Sequence, residues 1–121
     1  MIKEITSSEN KIYKQTRKLL NRSERYKTSL FVAEGQRIVE DAVAANAVEY
    51  IFVSQNYDGT VYDFPTYRVS DKMFKDLSDT ETTQGILAVC RMGVYNKRDK
   101  QPGQPGRPNK KQRQKMEEKR L

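Results

Sequence analysis

Arg25-Tyr-Lys-Thr-Ser-Leu-Phe-Val-Ala-Glu34-Gly35-Gln-Arg37 is the stretch from which the rest of the chain can be read. A basic, polar segment gives way to the short apolar run Leu30–Ala33, then to Glu34-Gly35, and then to a helical pattern. That order describes a buried strand, a tight turn and the start of a helix. Gly35 can adopt backbone angles closed to other residues and allows close approach of another chain. The first N–H groups of the following helix are free to meet an anion, and Arg25 and Arg37 flank that place. The stretch therefore predicts a phosphate-contacting corner in an RNA-binding domain.

Outward from this corner, strand and helix patterns alternate. On the N-terminal side, Thr6-Ser-Ser-Glu9 reads as a capping box. The helix it opens is expected to run to about Asn21, with Ile12, Thr16, Leu19 and Leu20 on one side and Asn10, Lys14, Arg17 and Lys18 on the other. The basic side is either an RNA contact or the solvated face of an amphipathic helix. Asn21 to Ser29 reads as a loop or a broken helical turn.

On the C-terminal side, Gln36 to about Ala45 forms a helix that buries Ile38, Val39, Ala42 and Val43. Val48–Val53 is a strand rich in β-branched and aromatic residues. A turn region around Asp58-Gly59 and Pro65 leads into a third strand, Thr66–Val69. Ser70 or Asp71 caps a short helix through Met73, Phe74 and Leu77. After a polar loop from Ser78 to Gln84, Gly85–Cys90 is uninterrupted apolar strand, as expected where both faces are covered. The pattern predicts an α/β fold: a three-layer α/β/α sandwich with a mostly parallel four-strand core sheet.

The 121 residues suffice for one domain with a modest core. The formal net charge of +7 is unevenly distributed. Residues 1–37 hold nine Lys/Arg against four Asp/Glu, and residues 38–95 hold four against nine. The 1–95 domain is thus neutral but polarised, which can orient it on a polyanion. Residues 96–121 hold ten Lys/Arg against three Asp/Glu, with the repeat Gln-Pro-Gly-Gln-Pro-Gly. This segment is expected to be a disordered basic tail, either loosely held on RNA or solubilising.

Several chemistries lack their residues. There is no histidine, so the usual neutral-pH proton shuttle and the commonest metal ligand are missing. Cys90 is the single cysteine and cannot form a disulfide within the chain; it reads as a small buried hydrophobe. No phosphate-loop or dinucleotide fingerprint is present. The N-terminus lacks a secretory apolar segment and no run is long enough to span a membrane, so a cytoplasmic, non-membrane protein is expected. No catalytic or metal residue is assigned.

Ser8-Glu-Asn10-Lys-Ile-Tyr-Lys14, Arg25, Phe31-Val-Ala-Glu34-Gly35-Gln-Arg37-Ile-Val-Glu40 and Thr83-Gln84-Gly85-Ile-Leu-Ala88 together carry a resemblance. From about Thr6 to Met92 the chain resembles the N-terminal substrate-binding domain of the SpoU (TrmH-type) RNA 2′-O-ribose methyltransferases. The resemblance implies the fold of the kink-turn-binding ribosomal proteins. It also implies a domain that grips structured RNA, ribosomal or transfer, while a second domain methylates it. Asn10, Lys14, Arg25, Gly35, Arg37 and Gln84 match the family's polar positions and are the expected RNA contacts.

Arg25, Arg37 and Lys14 suit phosphates, and Asn10 and Gln84 suit ribose hydroxyls or base edges. Glu34 would repel phosphate and is expected to align Arg25 or Arg37. The family's catalytic domain, which binds S-adenosylmethionine, should begin near Tyr95. The basic tail stands there instead, so no cofactor is expected in this chain. Excised domain, truncated product and stand-alone relative all remain open, as do a homodimer and a catalytic methyltransferase domain as partner. The alternative function is a stand-alone ribosomal-protein-like RNA-binding adaptor.

Overall fold

A computed structural model of the chain describes residues 2–93. The order of elements is β1 (Ile2–Glu4), α1 (Lys11–Lys18), α2 (Arg22–Thr28), β2 (Leu30–Glu34), α3 (Gln36–Ala44), β3 (Val48–Ser54), β4 (Thr66–Val69), α4 (Asp71–Leu77) and β5 (Ile86–Arg91). The expected tail, residues 96–121, lies outside the described residues.

The sheet has five strands in the order β1-β4-β3-β5-β2 and is mixed. The expected mostly parallel four-strand sheet is corrected on both counts. β1 pairs parallel with β4, and β4 parallel with β3. β5 is antiparallel to β3 and to β2, between which it is inserted. This central place explains its uninterrupted apolar run: Ile86 to Cys90 are all buried. β1 was not expected. Its three residues, Ile-Lys-Glu, carry one apolar side chain, and its place is fixed by backbone pairing with Thr66–Arg68.

Alternation along the strands divides the core between the two faces of the sheet. Ala33, Ile51, Val53, Ile86, Ala88 and Cys90 meet Val39 and Ala42 of α3. Phe52, Leu87 and Val89 meet Tyr13 of α1, Leu19 just beyond it, and Phe74 and Leu77 of α4. Val48 belongs to the first cluster although it lies three residues before Ile51. A register irregularity between Val48 and Tyr50 supplies the phase shift. The β3–β4 connection has no helix; Tyr57, Tyr62 and Phe64 of that loop pack on the α3 side instead.

The N-terminal helices depart most from expectation. Asn10, and not Thr6, caps α1: its Oδ1 accepts from the Ile12 and Tyr13 N–H groups at 2.9 and 3.1 Å. Tyr13 is fully buried and donates to the Met73 carbonyl at 2.8 Å, whereas Leu20 is 43 % exposed. Thr16 is buried as expected, and its hydroxyl meets that of Tyr50 at 2.9 Å. The expected loop at 21–29 is largely the helix α2, capped by Asn21, which accepts from the Ser23 N–H. It ends at Ser29 in the left-handed conformation. The other elements lie within a residue or two of their expected positions, and Ser70 caps α4.

Candidate nucleic-acid interface

β2 and β3 end at the same edge of the sheet, where β5 begins: Glu34 pairs with Leu87 and Val53 with Ile86. Gly35, Gln84 and Gly85 meet there. Gly35 has φ +109°, a left-handed value that favours glycine, and its N–H donates to the Ile86 carbonyl at 3.0 Å. A Cβ at this position would lie 3.2 Å from Gln84 Oε1. That oxygen already accepts from the Gln36 N–H at 2.8 Å, the first N–H of α3. The helix start proposed as an anion site is therefore capped by a side chain from across the corner, leaving the Gln84 carboxamide N–H₂ as the outward group.

Glu34 holds this corner together. Its carboxylate accepts from the hydroxyls of Ser78 at 2.7 Å, Thr80 at 3.2 Å and Thr83 at 2.5 Å. Thr83 Oγ1 accepts in turn from the Gly85 N–H at 3.1 Å. Glu34 was expected to align Arg25 or Arg37; the hydroxyls of the 78–84 loop are what it binds. The sequence signal was the density of Ser and Thr before β5, read only as a polar loop.

Beside the corner is an open cleft of about 500 Å³. Gln36, Tyr57, Asn56, Asp71, Lys75 and Gln84 are among its lining residues. The Tyr57 hydroxyl donates to the Thr60 carbonyl at 2.7 Å and accepts from the Gln36 carboxamide at 3.3 Å. Burial pushes the Tyr57 phenol above its ordinary value and the Gln36 hydrogen bond opposes this, so it is a neutral hydroxyl at physiological pH. Among the described residues, Asp58, Asp71 and Glu81 line the same cleft against a single cation, Lys75. That balance disfavours phosphate and suits the edge of a base or a ribose.

The expected contacts do not form one cluster. Gly35, Arg37 and Gln84 gather at the corner, with Arg37 exposed in the first turn of α3. Lys14 is on the exposed face of α1, 3.3 Å from Glu9. Asn10 spends its oxygen on the α1 cap. Arg25 is partly buried and donates from Nη1 to the Leu19 carbonyl at 2.8 Å, just beyond the end of α1. It lies in α2, ahead of Leu30, at the edge of the sheet opposite Glu34. Both residues build the fold with polar groups that the sequence reading assigned to RNA.

The cations of the α1–α2 region form a separate surface. Lys14, Arg17, Lys18 and Leu20 line an open depression of about 320 Å³. Among the described residues no group of His, Cys, Asp or Glu could hold a metal ion, and no helix is long and apolar enough to cross a membrane.

Comparison with known proteins relates this geometry to one part of RNA methyltransferases. The family described as MRM3-like substrate binding domain matches residues 10–88. The 23S rRNA (guanosine(2553)-2′-O)-methyltransferase RlmP of Bacillus subtilis (strain 168) is 33 % identical over 95 residues, spanning 75 % of this chain. The chain spans 38 % of that relative's length. A solved RNA 2′-O ribose methyltransferase superposes with a TM-score of 0.61 at 26 % identity, covering 88 % of this chain and 42 % of its own. An AdoMet-bound rRNA methyltransferase from Sinorhizobium meliloti gives 0.60 at 21 %, covering 74 % and 36 %.

The chain belongs to the MRM3-like substrate-binding domain family.

Proposed function

We propose that residues 1–95 are the RNA-gripping domain of an S-adenosylmethionine-dependent RNA 2′-O-ribose methyltransferase acting on ribosomal RNA. The observation that carries this reading is the family match across residues 10–88, supported by identity with an rRNA 2′-O-methyltransferase. In this reading the domain does not catalyse. It binds RNA, and a catalytic methyltransferase domain supplies the cofactor site, in a cytoplasmic assembly of the whole enzyme. Helices on both faces of the sheet support a three-layer sandwich resembling that of the kink-turn-binding ribosomal proteins. The basic segment 96–121 adds loose, salt-sensitive affinity.

The polar positions then divide into two roles. Lys14 and Arg37 are exposed cations for phosphate, and the Gln84 carboxamide meets a ribose or base beside the cleft. Asn10, Arg25, Glu34 and Gly35 position the elements that present them. The test is filter binding of the full chain to 23S rRNA. Lys14→Ala/Arg37→Ala, with an unchanged circular dichroism spectrum, should bind about ten-fold more weakly at moderate salt. Parental affinity in that variant would remove these two residues from the interface, and absence of binding by the parent would refute the reading itself.

A further inference from the structure

Among the described residues the cleft at the corner is lined by three carboxylates and one lysine, while the densest run of positive charge lies elsewhere. Between Lys11 and Lys27 the chain carries seven Lys/Arg and one acidic residue, Glu24. The two short helices at this place have different supports. α1 buries Tyr13 and Thr16, whereas α2 buries no residue. α2 is held by its Asn21 cap, by the Arg25 hydrogen bond to Leu19, and by the Met92 N–H reaching the Ser29 carbonyl at 2.8 Å.

What α2 presents outward is Tyr26, 63 % exposed, with the Arg22 guanidinium 5.6 Å from its ring centroid. Leu20 is exposed between the two helices and shares the depression with Lys14, Arg17 and Lys18. A water-facing ring on a helix with no buried residue, beside an exposed leucine in the turn before it, is not explained by core packing.

Resting on the reading of the domain as RNA-binding, we propose that the α1–α2 segment is a second RNA contact, specific for unpaired nucleotides. Arg17 and Lys18 hold the backbone and Tyr26 stacks a base. Charge complementarity selects a polyanion, and the exposed ring selects one with free base faces. In duplex RNA those faces are stacked inside the helix, whereas loops and single strands offer them to aromatic and guanidinium planes. Arg22 keeps the Tyr26 ring on the charged side through a cation–π contact. The corner at Gln84 then meets ribose or base edges, while the α1–α2 segment takes phosphates and a splayed base. Two separated contacts of this kind fix orientation on a folded RNA.

The experiment uses the full chain, fluorescein-labelled dodecauridylate, a 12-base-pair RNA duplex and polyglutamate, measured by fluorescence anisotropy. Tyr26→Ala should weaken dodecauridylate binding about ten-fold and Tyr26→Phe less than about two-fold, with duplex affinity unchanged in both. Arg17→Ala/Lys18→Ala should lower the slope of log affinity against log salt by about 1.4, the contribution of two single-strand phosphates. The chain has no tryptophan, so Tyr26→Trp provides a unique reporter whose emission should quench as the oligonucleotide stacks.

Parental affinity for dodecauridylate in Tyr26→Ala would overturn the proposal. So would equal losses toward duplex or polyglutamate, which would mark a surface for any polyanion. Those results leave 23S rRNA binding by the parent intact, whereas loss of all RNA binding by the parent would refute the broader reading instead.

Discussion

Glu34→Ala is the perturbation that most sharply separates a structural from a contact role for the acidic residue at the corner. The carboxylate accepts from Ser78, Thr80 and Thr83, and nothing in alanine replaces it. Hydrogen bonds to a charged group contribute about 1.5–3 kcal/mol each when buried, and less where water competes. The Ser78 and Thr83 bonds are partly buried and the Thr80 bond is exposed. The total is therefore about 2–3 kcal/mol, and a domain of this size should lose about 10–20 °C in Tm.

The damage should be directional. Released from Glu34, the 78–84 loop no longer holds Gln84 over α3, so the Gln36 amide loses its acceptor. Urea unfolding followed by circular dichroism measures the first effect, and amide hydrogen exchange at Gln36 and Gly85 measures the second. Glu34→Gln keeps one acceptor oxygen but turns an N–H₂ toward the hydroxyls, and should fall between parent and alanine. A loss below about 0.5 kcal/mol with undiminished Gln36 protection would refute the reasoning, because the carboxylate would then be free to serve another partner.

Three other substitutions probe the same fold. Gly35→Ala places a Cβ at φ +109° and 3.2 Å from Gln84 Oε1, and should cost about 1–3 kcal/mol in urea unfolding; a neutral result would mean the turn readily adopts another conformation. Asn10→Ala removes the α1 cap and should cost about 1 kcal/mol, while Asn10→Asp, which keeps an acceptor, should cost less; equal losses would point to a role other than capping. Burial pushes the Cys90 thiol from 9.0 up to about 12, so Ellman's reagent should react with it only in urea.

The sign of the Cys90 contribution follows from proton linkage. Below pH 9 both states hold the thiol proton; between pH 9 and 12 the unfolded chain releases it and the folded chain keeps it. Stability should therefore fall with rising pH across that window, by at most about 1.4 kcal/mol per pH unit from this group. Cys90→Ala should flatten the decline, and an equal decline in both proteins would contradict the assignment.

What was legible in the sequence is what hydrophobic patterning encodes. Val48–Val53, Thr66–Val69 and Gly85–Cys90 stand out because their β-branched and aromatic side chains are buried, and Val39 and Ala42 mark the inner face of α3. Strand direction has no such mark: an apolar run such as Ile86-Leu-Ala-Val-Cys90 reads the same for parallel and antiparallel neighbours. β1 and α2 were hidden because neither buries a residue, and both depend on backbone pairing or capping groups. Tyr13 was missed because its hydroxyl finds the Met73 carbonyl, which permits a polar-tipped ring to be fully buried. At the corner, Gly35 and Gln84 were singled out by the resemblance. That one caps the helix beside the other, and that Glu34 ties down three hydroxyls, are long-range contacts no local pattern announces.

The central claim is that this domain grips RNA with the corner at Gln84 and the basic α1 surface, not with the whole perimeter of the sheet. Amide chemical-shift mapping of the full chain with a stem-loop RNA bearing an unpaired loop tests it most directly. The account predicts shifts at Gln36, Arg37 and Gln84 and along Lys14–Lys18, with little change at Lys72 and Asp76, on α4 outside the cleft lining, or in β1. No shifts at any RNA concentration, or shifts confined to Lys72, Asp76 and β1, would contradict it.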